Sequence, residues 1–187
     1  GMNVCGYDIE KKEIAGVETH VVLPRADVYV VTVSTGWKDG RPDLDAVYDV
    51  CKRIAQTNKD ALVCLESTVP VGVCQDIARK FDLKRLVHCP ERYWKEDPIK
   101  HGVDQIRVFG ALNEDSLRRG ADFYQRLGVS LHIVPFPSLE VAELSKLVEN
   151  AHRYAQIAFT EEMYRICKEL NIDFEQLRIA CNTKWNC

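Results

Sequence analysis

Between Asn3 and Val134, short runs of β-branched and other apolar residues alternate with stretches of helical period, which leaves an α/β sheet as the fold class. The strand candidates are Asn3 to Tyr7, Val28 to Val33, Ala61 to Leu65, Leu86 to Cys89, Ile106 to Gly110 and Leu131 to Val134. The VYVVTV run at 28–33 is rich in β-branched residues and reads as a parallel strand buried on both faces. A Gly/Pro-rich loop, STGWKDGRP, follows it, and Asp43 then caps a helix carrying Leu44, Val47, Val50, Cys51, Ile54 and Ala55 at helical spacing. A second helix runs through Phe81 after the ESTVPVG segment. Asn113 caps a third, which Gly128 stops. The predicted fold class is α/β, with a mostly parallel sheet followed by a long helix.

The pattern changes after PFPS. From Ser138 to Leu170 there is no Gly or Pro, and apolar residues recur at helical spacing from Leu139 to Cys167. At 1.5 Å per residue such a helix runs about 50 Å, more than one small sheet can cover. It therefore needs cover from another domain or subunit. Ser138, with Val141 and Glu143 behind it, is a loose helix-start signal. The predicted boundary falls between residues 137 and 138, with the long helix and a C-terminal tail making up 138–187.

Composition narrows the function classes. A chain of 187 residues with 46% hydrophobic residues can build one core. Its 25 basic and 28 acidic residues lack the basic excess of a nucleic-acid binder. Apolar runs fall short of the ~20 residues that a membrane span needs. The first residues, GMNVCGYDIEKKE, carry no secretory pattern, and Gly1 before Met2 looks like an expression scar. The eight cysteines are scattered without C-x-x-C spacing, so they read as reduced buried thiols rather than disulfides or zinc ligands. These features predict a cytoplasmic protein with no metal site, no nucleic-acid partner and no membrane association.

Chemistry-bearing residues cluster at strand ends. No G-x-G-x-x-G occurs. Asp8 closes an apolar strand, where an acidic residue can accept hydrogen bonds from ribose hydroxyls; a surface turn is the plain alternative. The segment Glu66 to Gly72 lies at the carboxyl end of a predicted strand, where Ser67 and Thr68 could hold water or a cofactor or simply cap a helix. His88 and Cys89 are strand neighbours that face opposite ways, so they cannot pair as base and nucleophile. Glu91, just beyond, is better placed as a base or a ligand for a sugar hydroxyl. Lys146 and Asn150 stand four apart on one helix face, where together they can stabilise an oxyanion; a solvated helix surface is the alternative.

Taken in order, GYDI, ADVYVVTV, GRPDLDAV, ESTVPVG, HCPER, AELSKLVENA and KELNID resemble the NAD-dependent nucleotide-sugar 6-dehydrogenases, the UDP-glucose/GDP-mannose dehydrogenase family. HCPER looks closest to the UDP-N-acetyl-D-mannosamine branch. The resemblance implies NAD as cofactor and oxidation of the C6 alcohol of a UDP-sugar to a uronate by two NAD⁺ in sequence, through a cysteine thiohemiacetal and thioester. It implies Asp8, Thr35, Ser67 and Thr68 at the cofactor, and Glu91, Arg92, Lys146 and Asn150 at the substrate. Thr68, Glu91, Lys146 and Asn150 take the catalytic roles: Thr68 positions the hydrolytic water, Glu91 assists thioester hydrolysis, and Lys146 with Asn150 stabilises oxyanions. It also implies an incomplete Rossmann-like, mostly parallel sheet, with residues 1–137 as a partial NAD-binding domain and 138–187 as a long central dimerisation helix with a C-terminal tail. A homodimer through the helix Ser138 to Leu170, or association with a complementary chain, follows from the same resemblance.

Departures from the family pattern qualify these expectations. The match begins at what would be the second Rossmann strand, so the Gly-rich turn has no counterpart. Only 18 positions, Ile9 to Ala26, separate Asp8 from Asp27. VSTG (Val33 to Gly36) stands where the family has V-P-T-P, and Lys95 where the glucose branch has a second glutamate. Cys187 does not match the family's nucleophile motif. The expectation is a truncated member, inactive alone, with a non-catalytic interaction module or half of a split enzyme as the alternative.

Overall fold

The computed structural model describes residues 2–93, 96–97, 99–100, 104–135 and 139–185. Ser138, Lys95, Cys187 and Gly1, singled out above, lie outside the described residues. Among the described residues no helix is long and apolar enough to cross a membrane. The chain divides into a unit of Gly1–Lys146 and a unit of Leu147–Cys187.

The first unit is built on a mostly parallel five-stranded sheet. Its strands are β3 (Val28–Val31), β6 (Leu62–Leu65), β7 (Arg85–His88), β8 (Arg107–Ala111) and β9 (Leu131–Ile133), in the order β3-β6-β7-β8-β9. Only the β7–β8 pairing, Val87 with Ala111 and His88 with Gly110, is antiparallel. Both faces are covered over β6, β7 and β8, as a parallel sheet requires. Strand β3 departs from the expected burial on both faces: it is an edge strand, with Tyr29 and Val31 buried on one face and Val30 45% exposed on the other. Val63, Leu65 and Leu86 pack with α1 (Asp45–Asn58) and α2 (Val73–Phe81), whereas Leu62, Cys64, Val87 and Phe109 pack with Tyr124 of α3 (Glu114–Arg126). Successive strand residues thus enter opposite cores. His88 and Cys89 are both fully buried, Cys89 among the α3-side residues.

Two departures from the sequence reading concern the sheet's surroundings. Strand β2 (Glu18–His20) was hidden in ETHVVLP; it pairs in parallel with β1 (Cys5–Tyr7) as a separate two-stranded sheet. Segment 34–42 is not a plain loop. Gly36–Lys38 (β4) and Arg41–Asp43 (β5) pair as a hairpin whose Asp39 and Gly40 both take positive φ, 53° and 74°. An Asp-Gly pair is the residue choice that such a turn favours. The N-cap of the next helix is Leu44 rather than the expected Asp43: the helix starts at Asp45, and Asp43, one position too early to cap it, accepts only the Asp45 amide at 3.1 Å. Asn113 Oδ1 accepts the Ser116 amide at 2.9 Å, and Gly128 (φ 76°) follows the end of α3, both as expected.

Gly120 marks the closest approach of α3 to the sheet. A Cβ there would lie 2.7 Å from Phe109 Cζ and 2.8 Å from Val87 Cγ1. Both neighbours are fully buried, so neither can move aside freely. Gly120→Ala is expected to lower stability by about 2 kcal/mol despite alanine's better helix propensity. Urea unfolding measures it, and a neutral result would show that the helix can lift off the sheet without loss.

The second unit comprises most of α4 (Leu139–Leu170) and α5 (Phe174–Cys181). Asn171 (φ 54°) ends α4, and the Ile172 amide donates to Cys167 O at 2.8 Å. Asp173 Oδ1 then accepts the Glu175 amide at 2.9 Å and starts α5. Tyr164 and Phe174 meet edge to face at 5.5 Å between centroids, over a buried Cys167.

Candidate functional site

Strands β3, β6 and β7 are parallel, so their carboxyl ends share one edge of the sheet. Open α/β sheets bind ligands at that edge. Ser67 Oγ donates to Val33 O at 2.6 Å, and Thr35 Oγ1 donates to Thr68 O at 2.9 Å. These two bonds tie the loop after β3 to the loop after β6. They bring Thr35, Ser67 and Thr68 together. Neither Ser67 nor Thr68 caps α2: its first position is Gly72, whose φ of 89° favours glycine. Ser67 is buried, while Thr35 and Thr68 are half-buried.

Glu66 and Glu91 are joined by a residue that sequence reasoning did not single out. Strand β8 runs antiparallel to β7, so its first residue, Arg107, lies at the edge where β6 and β7 end. Arg107 Nη2 donates to Glu66 Oε2 at 2.8 Å and to Cys89 O, and Nη1 lies 3.3 Å from Glu91 Oε2. The Tyr124 hydroxyl donates to Glu66 Oε1 at 2.7 Å. Burial disfavours the guanidinium charge, yet Glu66 beside it holds the Arg107 pKa above its usual value. Glu91 Oε1 accepts the Arg92 amide at 2.8 Å, and Arg92 Nη1 donates to Ile106 O at 2.6 Å. Glu66 is buried and Glu91 is exposed.

The start of α4 reaches the same turn. Glu143 was legible only as part of a helix-start signal for its own helix. Its carboxylate instead accepts the Gly72 amide at 2.6 Å and the Cys74 amide at 2.8 Å, so it caps α2. Glu143 is fully buried. Lys146, half-buried, follows one turn later. Asn150 is exposed and lies four residues further on α4, in the second unit. Asp8 ends β1 on the separate two-stranded sheet, where its amide donates to His20 O at 3.2 Å and its Oδ1 accepts the Glu10 amide at 2.9 Å.

Residues 11–128 match the NAD binding domain of the UDP-glucose/GDP-mannose dehydrogenase family, and residues 140–187 match that family's central domain. The chain belongs to this family. It is similar to the UDP-N-acetyl-D-mannosamine dehydrogenase of Campylobacter jejuni, 29% identical over 83% of this chain and 42% of that protein. Similarity to the NDP-N-acetyl-D-galactosaminuronic acid dehydrogenase of Ralstonia solanacearum is 30% over 84% of this chain and 41% of that protein. The chain thus spans about two fifths of these relatives' length. Its fold is shared with the UDP-D-ManNAc dehydrogenase of Pyrococcus horikoshii, with a TM-score of 0.81 at 22% identity over 91% of this chain and 44% of that one.

Asp8 precedes the matched NAD binding domain and stands beside the separate two-stranded sheet, its Oδ1 accepting the Glu10 amide, whereas the bonded Thr35–Thr68 pair falls within that domain at the strand-end edge. A pyrophosphate would need free amides at a helix N-terminus. Here Asp43 takes one amide at the start of α1, Glu143 takes two at the start of α2 and Asn113 takes one at the start of α3. The described cysteines of the first unit do not offer a thiolate at the edge either. Burial pushes the Cys89 and Cys51 thiols up to about 12 and raises Cys64 and Cys74 as well, while the exposed Cys5 lies on β1.

Proposed function

We propose that this chain carries the strand-end part of the active site of an NAD-dependent UDP-sugar 6-dehydrogenase of the UDP-N-acetylmannosamine type. Residues 1–137 would form the cofactor segment, and 138–187 an association helix with its tail. The observation that carries the reading is the convergence of three motifs on one sheet edge. Glu143, one turn before Lys146, holds the turn after Thr68, and Arg107 joins Glu66 of that turn to Glu91.

Bound NAD would accept the hydride. Thr68 would orient a water and the cofactor, with its carbonyl pinned by Thr35. Glu91 would accept a hydrogen bond from a sugar hydroxyl or from the water, beside Arg92. Lys146 and Asn150 would stabilise negative charge on the reacting oxygen. The described cysteines of the first unit supply no thiolate at this edge, so the nucleophile would come from outside them. The chain alone with NAD⁺ and UDP-N-acetylmannosamine is expected to form no uronate, because oxidation past the aldehyde passes through a cysteine thiohemiacetal, and uronate formation would overturn that expectation. Calorimetric titration with the UDP-sugar is expected to saturate, with Lys146→Ala weakening it about tenfold. Equal affinity in the variant would remove Lys146 from the site.

A second reading concerns association, probed by the face of α4. Leu144, Val148, Phe159, Ile166 and Leu170 are all at least 43% exposed. Apolar residues at this spacing suit a helix that packs against a second copy of the chain, consistent with a homodimer. Sedimentation is expected to give a dimer that Phe159→Glu converts to a monomer. A monomeric parent chain would leave a complementary partner chain as the occupant instead.

A further inference from the structure

We propose that Arg107 is a positioning residue that holds the Glu91 carboxylate in place for a bound sugar nucleotide; this rests on reading Glu91 as a substrate-facing group. The chain of contacts runs from the core outward. Tyr124 fixes Glu66, Glu66 fixes Arg107, and Arg107 reaches Glu91. The first three members are buried, with Arg107 and Glu66 side chains each only 9% exposed, whereas Glu91 is 45% exposed.

Two features separate this from a plain structural ion pair. The Glu66–Arg107 pair already balances its charge in the core and needs no second carboxylate. Moreover, Arg107 Nε is buried without a partner among the described residues, although buried donors are normally matched. The guanidinium is thus oriented toward Glu66, the Cys89 carbonyl and Glu91 at the expense of its third nitrogen. A planar fork can address three acceptors from fixed directions, which the single ammonium of lysine cannot do. Glu91 sits on the loop beyond β7, and its other oxygen accepts the Arg92 amide. With both oxygens engaged, the carboxylate has one orientation to present to a ligand.

Removing Arg107 alone would strand the Glu66 charge in the core, so the test uses the charge-balanced double variant Glu66→Gln with Arg107→Met, alongside Arg107→Lys. Hydrogen exchange of the Arg92 amide, which Glu91 Oε1 accepts, reads the carboxylate's position. The Leu112 and Val134 amides, bonded to Leu86 O and Phe109 O, report on the strands themselves. The double variant is expected to speed Arg92 exchange about tenfold while Leu112 and Val134 stay protected, with Arg107→Lys in between. In calorimetry, affinity for UDP-N-acetylmannosamine is expected to fall by one shared factor in Glu91→Gln, in the double variant and in the triple variant. Affinity for UDP, which lacks the sugar, stays unchanged.

Unchanged Arg92 exchange overturns the proposal, because Glu91 is then held without Arg107. Loss of Leu112 and Val134 protection also overturns it, since Arg107 is then a fold brace. Affinity losses that multiply in the triple variant show that Arg107 does not act through Glu91. A parent chain that binds no sugar nucleotide instead refutes the proposed function, and the exchange data alone then decide the role of Arg107.

Discussion

Glu143→Ala is expected to lower the unfolding free energy by about 4 kcal/mol, from two orphaned amides at about 1–3 kcal/mol each. The Gly72 and Cys74 amides point at one carboxylate, 2.6 and 2.8 Å from its two oxygens. Alanine offers neither an acceptor nor the volume to exclude water cleanly. The start of α2 also loses the negative charge that complements its helix dipole. Glu143→Gln separates these contributions. Its amide keeps one acceptor oxygen but turns a second donor toward an N–H, so about half of the loss is expected to remain. Urea denaturation of the full chain measures both variants. A loss below about 1 kcal/mol for Glu143→Ala would mean that water replaces the carboxylate, as it can at an exposed cap. The same bond couples fold to site, because it fixes the turn that carries Thr68 from the helix that carries Lys146.

That coupling shows what the amino-acid pattern made legible and what it hid. Strand positions followed from short apolar runs bounded by turn residues; Leu62–Leu65 is buried at every residue. The caps at Asn113 and the glycine after α3 were legible because their signals are local. The Asp39–Gly40 turn carries an equally local signal, but the surrounding Gly and Pro read as an irregular loop and mask the hairpin that it closes. Strand β2 was not legible: three residues paired with another short strand leave little periodic signal. Arg107 and Glu143 stayed hidden for another reason. Their roles depend on partners far along the chain: 41 positions separate Arg107 from Glu66, and 71 separate Glu143 from Gly72. Arg107 reaches the site only because β8 reverses direction, and composition carries no strand direction. Thr35, Ser67 and Thr68 were visible as polar residues at strand ends, but the bonds that make them one unit cross between two loops.

Between pH 7 and pH 5 the chain is expected to lose about 2 kcal/mol of stability to one histidine. His88 is fully buried, and its Nδ1 lies 2.9 Å from Leu65 O, so the proton sits on Nδ1 and is donated to that carbonyl. Nε2 has no partner among the described residues. Protonating it would place a charged N–H in the core with nothing to accept it. Burial therefore pushes the His88 pKa down to about 4, and the nearby Arg107 charge acts in the same direction. In the unfolded chain the value returns to about 6.5. The unfolded state thus binds the extra proton first as pH falls. The stabilisation is complete above the unfolded value and is lost as pH drops from about 6.5 to about 4, for a total of about 3 kcal/mol. Ion-paired carboxylates such as Asp76 and Asp82 have lowered pKa values, and they contribute to acid unfolding mainly below about pH 4, outside most of this window. Urea midpoints of the chain and of His88→Leu, taken at pH 7 and pH 5, test the assignment. The variant is expected to show a much flatter dependence, because leucine fills the same site without a titrating group. An equally steep dependence in His88→Leu would move the acid sensitivity to another group.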